Sequence, residues 1–169
     1  EGMSIGDSLL NYFDENILIS NTAKKTRYKN KRYTYLMLND ENNEYNFGIY
    51  DAVYVHYQSM DKKYLIRGIS GILSFEDDIS NCHSKMNEID IDLSRVFKYL
   101  EISKGRISNH EADPSGKSKI KSNLYSSKDG WHVSLQCYDW SEQIDYADHL
   151  RITIRDNDYS YFLEHEAYN

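Results

Sequence analysis

A chain of 169 residues is long enough to bury one hydrophobic core without metals or several disulfides to hold it. With 28% charged residues it has no run approaching a membrane span, and it reads as a soluble protein. A formal charge of -7 opposes non-specific nucleic-acid binding, whose affinity comes from neutralised phosphates, so no specific nucleic acid is expected as a partner.

Gly6-Asp7-Ser8 ahead of Leu9, Leu10, Tyr12 and Phe13 predicts a short helix, capped by Asp7 or Ser8 accepting from first-turn amides. A second helical stretch covers Asp14 to Lys25. Strands are predicted at Arg32–Leu38, Ala52–Gln58 and Tyr64–Phe75. Between them lie the polar turns Asn39-Asp40-Glu41-Asn42-Asn43 and Ser59-Met60-Asp61-Lys62. Connections this short join antiparallel neighbours, because a parallel crossover needs about a dozen residues or more. Sixteen tyrosines and one proline stand out in composition. Tyrosine suits a pleated, half-wet surface, so a tyrosine-rich sheet face accounts for the excess more simply than a dedicated binding surface.

Ile79, Cys82, Met86, Ile89, Leu93, Val96 and Leu100 recur at alternating steps of three and four. That rhythm holds one apolar stripe on a long helix over about 78–101. Glu76-Asp77-Asp78 places negative charge at its start, Lys98 and Lys104 lie near the other pole, and Gly105 is its expected stop. Residues 103–118, which hold the only proline, read as loop. Strands follow at Lys119–Ser126, Trp131–Tyr138 and Leu150–Arg155, the first two joined by an Asp129-Gly130 hairpin turn. Asp156-Asn157-Asp158 caps a last helix through Tyr159, Phe162 and Leu163.

The predicted fold class is therefore α+β: a mostly antiparallel sheet of about six strands in two three-stranded runs, with the long helix packed on one face. Residues 1–169 are expected to form a single domain. The helical stripe should bury against Trp131, Val133, Leu135, Leu150, Ile152 and Ile154.

In Trp131–Tyr138 a period of two puts Cys137 on the apolar face, and Cys82 lies on the stripe expected to cover it. A Cys82–Cys137 disulfide then requires Cα atoms within about 7 Å. Two buried free thiols acting as small hydrophobes are the alternative, and it stays open here. A bridge would imply an oxidising compartment. No metal site and no cofactor are expected. Cys82 and His83 are neighbours on a helix, where adjacent side chains diverge by about 100° and rarely share a metal.

Gly6-Asp7-Ser8-Leu9 resembles the nucleophile block of GDSL (SGNH) esterases, and Asp129-Gly130-Trp131-His132 resembles their late D-x-x-H block. The resemblance implies Ser8 as nucleophile, His132 as its base and Asp129 as the orienting carboxylate. Leu38-Asn39-Asp40 echoes the family's asparagine block, with Met37 where glycine is expected. Against this, Asp7-Ser8 is an ordinary helix cap, Asp129-Gly130 a hairpin turn, and the alternating βαβ units of that fold are not found. Pro114-Ser115-Gly116-Lys117-Ser118 resembles the end of a phosphate-binding P-loop, but Glu111 stands where its first glycine belongs, and a solvated turn is the simpler account. Lys24, Lys25, Arg27, Lys29, Lys31 and Arg32 fall within nine residues that carry no acid. They offer a basic patch for an anionic partner, a lipid headgroup or a nucleic-acid backbone, set against a plain solvated connection. Tyr138-Asp139-Trp140-Ser141 lines a ligand edge on one reading. On the other, favoured reading it is an edge turn in which Trp140 seals the sheet.

Six phrases together are similar to a family of small, uncharacterised bacterial proteins that often carry an N-terminal export signal or anchor. They are Gly6-Asp7-Ser8-Leu9-Leu10 with Tyr12-Phe13; Tyr50-Asp51-Ala52-Val53 with His56-Tyr57; Gly68-Ile69-Ser70-Gly71-Ile72; Asp113 to Ser118; Cys137 to Glu142; and Leu150-Arg151-Ile152. The resemblance implies no assigned activity and no catalytic residues. It implies a periplasmic or exported location in preference to a cytoplasmic one, and with it the Cys82–Cys137 bridge. Nothing at the N-terminus has the pattern of a signal peptide, and a leader removed ahead of Glu1 is left open. The leading expectation is a non-catalytic interaction or accessory module of the bacterial cell envelope, with an unidentified protein partner. The alternatives are a GDSL-like serine esterase using Ser8, Asp129 and His132, and an anion-binding protein acting through residues 24–32.

Overall fold

Runs rich in tyrosine and branched aliphatic residues become strands in the computed structural model, which describes residues 2–23, 26, 28–39, 47–76, 78–144 and 146–169. Among these residues the strands are β1 (Tyr33–Asn39), β2 (Ala52–Gln58), β3 (Gly68–Glu76), β4 (Glu101–Lys104), β5 (Ser108–Asn109), β6 (Lys119–Ser126), β7 (Trp131–Asp139) and β8 (Asp148–Asp156). The helices are α1 (Glu15–Asn21), α2 (Ile79–Val96) and α3 (Asn157–His165), preceded by a single 3₁₀ turn at Leu9–Asn11. The strand order is β1-β2-β3-β8-β7-β6-β4, with β5 also on β6. Pairing is antiparallel in β1–β2, β4–β6, β5–β6 and β6–β7, and the connection 127–130 between β6 and β7 is too short for a parallel crossover. The class is α+β.

Two corrections concern the strand count and the long helix. Among the described residues the sheet has eight strands, not about six, because part of the expected loop 103–118 and the residues just before it pair with β6. Glu101↔Ser126 to Lys104↔Asn123 is followed by Ser108↔Ile120, one residue out of step, so β4 and β5 form one edge strand bulged at Arg106-Ile107. Gly105 is therefore not a helix stop. Its N–H donates to the Ser122 carbonyl at 2.7 Å, and a Cβ there would sit 2.5 Å from that oxygen. The helix ends at Val96, short of the expected 78–101, because Phe97 turns out of helical geometry at φ -105°, ψ 46°. Val96 is 67% exposed, whereas Leu100 is buried from the turn beyond the helix. Asp78 caps the other end, accepting from Asn81 N–H at 3.0 Å.

The remaining elements differ at their edges. The strand expected from Tyr64 begins at Gly68, since residues 64–66 bond to the N-terminal segment instead: Ile66 N–H to Asp7 O and Gly6 N–H to Ile66 O, each 2.8 Å. The second helix stops at Asn21, where Thr22 becomes extended and bridges Leu36. Lys24 and Lys25 of that helix, residues 40–43 of the first turn and Asp77 lie outside the described residues.

The chain groups into two compact units, Glu1–Gly71 with Ile154–Asn169, and Ile72–Thr153. In the first, Leu9, Leu18, Leu36, Leu38, Val55 and Ile66 make one apolar cluster, and Tyr28, Tyr33, Tyr159, Phe162 and Ala167 another. In the second, Cys82 and Met86 of α2 pack on Leu135, Cys137 and Leu150, with Ile79, Ile89, Leu93 and Ile152 at the margin. Ile154, expected under the helix, is instead 39% exposed. The Cys82 and Cys137 sulfurs lie at disulfide distance, 2.09 Å, with Cα atoms 6.0 Å apart. Asp90, also on α2, is buried. It accepts from Lys104 Nζ at 2.6 Å, from Asn123 Nδ2 at 2.8 Å and from the Tyr125 hydroxyl. Burial pushes this carboxyl up, but the three donors outweigh it and hold the group below the ordinary aspartate value. Burial and the bond to Asp90 push the Tyr125 phenol up to about 12.

Candidate functional site

Val133, Leu135 and Cys137 of β7 pack in the α2-facing clusters, so the pleat turns Ser134, Gln136 and Tyr138 to the opposite face. β8 alternates likewise: Leu150 and Ile152 pack with α2, and His149 and Arg151 share the face of Tyr138. A ring cluster builds up there. Tyr138 stacks on His149 (centroids 4.6 Å, 16° between planes) and on Trp140 (5.6 Å, 13°). His110 lies 4.6 Å from Trp140, and Tyr146 meets Trp140 edge-on at 5.5 Å. The Arg151 guanidinium sits 4.9 Å over the Tyr138 ring.

Hydrogen bonds position these rings. Trp140 N–H donates to Asp148 Oδ1 at 2.7 Å, and the Tyr138 hydroxyl donates to Gln136 Oε1 at 3.1 Å. His149 Nδ1 lies 3.0 Å from the Ala147 carbonyl, which fixes the proton on that nitrogen and turns Nε2 toward Arg151 Nη2 at 3.4 Å. Burial, reinforced by the Arg151 charge, lowers the His149 pKa to about 3. This imidazole is neutral near pH 7 and acts as a stacked ring and an acceptor, not as a proton carrier. His110, Tyr138 and His149 are buried, Trp140 is half-buried, and Tyr146 is 47% exposed, so the cluster shows solvent an aromatic edge.

The residues singled out from sequence fall as follows. Ser8 caps the 3₁₀ turn: its Oγ accepts from Leu10 N–H at 3.2 Å and donates to the Lys63 carbonyl at 2.6 Å. It belongs to the first unit, Asp129 and His132 to the second. Asp129 N–H donates to Ser127 Oγ at 3.1 Å within the hairpin, and His132 Nδ1 lies 3.1 Å from Ser126 Oγ across it. A different serine and histidine do meet. Ser70 Oγ is 2.8 Å from His56 Nε2, His56 Nδ1 is 2.8 Å from the Tyr159 hydroxyl, and that hydroxyl is 2.8 Å from Tyr28 Oη. The spacing suits a nucleophile, base and orienting group, but Ser70 is 0% and His56 2% exposed, so a substrate carbonyl has no route to them. This line of groups holds β2, β3 and α3 together.

The P-loop-like segment carries its own anion. Asp113 Oδ1 accepts from Ser115 N–H at 2.9 Å, and Oδ2 from Ser118 N–H at 2.8 Å and Ser118 Oγ at 2.7 Å. Bonds from Ser118 and Ser115 hold this carboxyl well below the usual carboxylate range, and they occupy amides that a phosphate would need. Strand β6 follows, not a helix. Of the basic segment, Arg32 pairs with Glu166 at 3.2 Å and Lys31 Nζ donates to the Thr26 and Tyr28 carbonyls; Lys24, Lys25 and Arg27 lie outside the described residues. Among the described residues no three His, Cys, Asp or Glu side chains are grouped to hold a metal. His83 is half-buried, its pKa lowered by burial and by Lys121.

Tyr138 and Trp140 were visible in sequence as an edge motif, but His110, Tyr146, His149 and Arg151 were not. The one available signal was the alternation of His149 and Arg151 with Leu150 and Ile152, which puts both polar groups on the Tyr138 face. The chain matches no protein-family model, no curated protein and no solved structure.

Proposed function

We propose that the chain is a non-catalytic interaction module of the bacterial cell envelope, holding a protein partner through the aromatic edge of Trp140 and Tyr146. The observation that carries this reading is the composition and support of that edge. Trp, Tyr and Arg dominate the energetics of protein interfaces when held rigidly around a desolvated centre. Here Trp140 and Tyr146 reach the surface while Tyr138, His149 and Arg151 brace them from below. A rigid aromatic surface loses little side-chain entropy on binding. An exported location is supported by the sulfurs of Cys82 and Cys137 at disulfide distance, since such bridges persist in oxidising compartments.

The test is photo-crosslinking of the tagged chain in an envelope fraction, with Trp140→Ala and Tyr146→Ala in parallel. Wild type is expected to give a defined protein adduct. Each variant should lose it by about tenfold, equivalent to about 1.4 kcal/mol of binding, and Tyr146→Ala, which removes the more exposed ring, should melt close to wild type. A folded Tyr146→Ala variant that crosslinks as wild type does, or no adduct at all, would overturn the reading.

A further inference from the structure

In the first unit, the turn after β2 gathers cations that lie far apart in sequence. Ser59 N–H donates to the Arg32 carbonyl at 2.9 Å, and Ser59 Oγ donates to the Lys31 carbonyl at 2.8 Å. On its other side, Ser8 Oγ donates to Lys63 O at 2.6 Å and Leu9 N–H to Tyr64 O at 3.0 Å. The turn 59–64 is thus seated between residues 31–32 and 8–10. Lys29, Lys31, Arg32, Lys62 and Lys63 are all exposed there. Among them stands Met60, 87% exposed, with Leu10 at 44% on the flank.

Asp61 and Glu166 lie at this surface, with Glu15, which accepts from the Tyr64 hydroxyl at 3.0 Å, and Asp158, whose charge acts on Arg32, beside it. Asp61 Oδ1 accepts from Lys63 N–H at 2.9 Å and its Oδ2 from Leu65 N–H at 3.0 Å, which holds the carboxylate against its own turn. Glu166 pairs with Arg32. Among the described residues, Lys29, Lys31, Lys62 and Lys63 make no ion pair. Lys31 Nζ bonds only to carbonyls, which orient the charge without cancelling it. Lys24, Lys25 and Arg27 extend the same basic segment in sequence.

We propose that this surface docks the protein on an anionic lipid bilayer, with the lysines over headgroup phosphates and Met60 entering the interface. Two attractions act together there: lysines that make no ion pair among the described residues, and a prominent apolar side chain. A chain of net charge -7 is repelled by such a surface elsewhere, so the same field that attracts this face selects its orientation. An acidic groove or a free phosphate would use the lysines but would leave Met60 without a role. None of the ring-cluster residues takes part, so this inference stands or falls independently of the proposed function.

The test is co-sedimentation of the full chain with phosphatidylglycerol–phosphatidylcholine vesicles and with pure phosphatidylcholine vesicles, each at low and high salt. Binding is expected to the anionic vesicles alone, and to fall steeply as salt screens the charges. The double variant Lys62→Glu, Lys63→Glu should lower vesicle partitioning at least tenfold, and Met60→Asp several-fold. Lys62→Gln, Lys63→Gln serves in its place if charge reversal impairs folding. The proposal is overturned if wild type fails to sediment with anionic vesicles at low salt, if neutral vesicles bind equally, or if a folded double variant partitions as wild type does.

Discussion

The two units bury polar groups by different chemistry. In Glu1–Gly71 with Ile154–Asn169, the interior polar line Ser70–His56–Tyr159–Tyr28 is built of hydroxyls and an imidazole, set among Tyr33 and Phe162. In Ile72–Thr153 the interior holds two sulfurs at bonding distance and a carboxylate, Asp90, neutralised by Lys104. Hydrogen-bonded rings specify geometry at modest cost per bond, whereas a bridge acts on the unfolded chain and an ion pair depends on both partners staying charged. The second unit is therefore the one expected to respond to reductant.

The largest expected effect comes from removing the sulfurs. For residues 55 apart in sequence, a bridge stabilises the fold by about 4 kcal/mol. Cys82→Ser with Cys137→Ser, or reduction of the wild type, should lower urea stability by that order. Amide-exchange protection should fall first in α2 and β7. Thiol titration of the unreduced protein in denaturant should find no free thiol. Two reactive thiols, or equal loss of protection in β1 and β2, would remove the contrast between the units.

Why this pairing was legible and others were not is a matter of periodicity. Cys82 and Cys137 each sit on an element whose apolar repeat is intact, so helical and strand phase alone turned both inward. Glu101–Lys104 is exposed at every residue, has no alternation to read, and is followed by a bulge that breaks whatever period remained. Asp90 was readable in principle: it lies four after Met86 and three before Leu93, in phase with the stripe, but a carboxylate at that phase is ordinarily assigned to the wet face. The ring cluster could be read only at Tyr138 and Trp140, and the cationic turn only at Lys29, Lys31 and Arg32. Each assembles from separate segments, and only pairing register and backbone bonds bring His110 to Trp140, or Ser59 to Lys31.

A smaller effect probes the first unit. Tyr159→Phe keeps the ring and removes the hydroxyl at which the bonds to His56 and Tyr28 meet. Leaving buried polar partners behind costs about 1–3 kcal/mol, with no change in the sensitivity to reductant. If stability in reductant shifted as well, the polar line and the sulfur pair would belong to one cooperative network, and the contrast would have to be redrawn.

The most gradual effect, spread over several pH units, belongs to His149. Its folded pKa of about 3 lies below the ordinary histidine value of 6.5, so between these limits the unfolded chain binds a proton that the native chain does not. The stability arising from the neutral buried ring is fully present above about pH 6.5 and is lost as pH falls toward about 3, by up to about 1.4 kcal/mol per unit. Asp90 adds to the decline only lower, below the ordinary aspartate value of 3.8, as its carboxylate protonates and releases Lys104. His149→Phe, which keeps a ring against Tyr138, should flatten the urea stability profile between pH 6 and 4 and leave the steeper fall at lower pH in place. An unchanged slope in a folded variant would mean that another group takes up the proton in that range, and would separate the acid response of the second unit from its ring cluster.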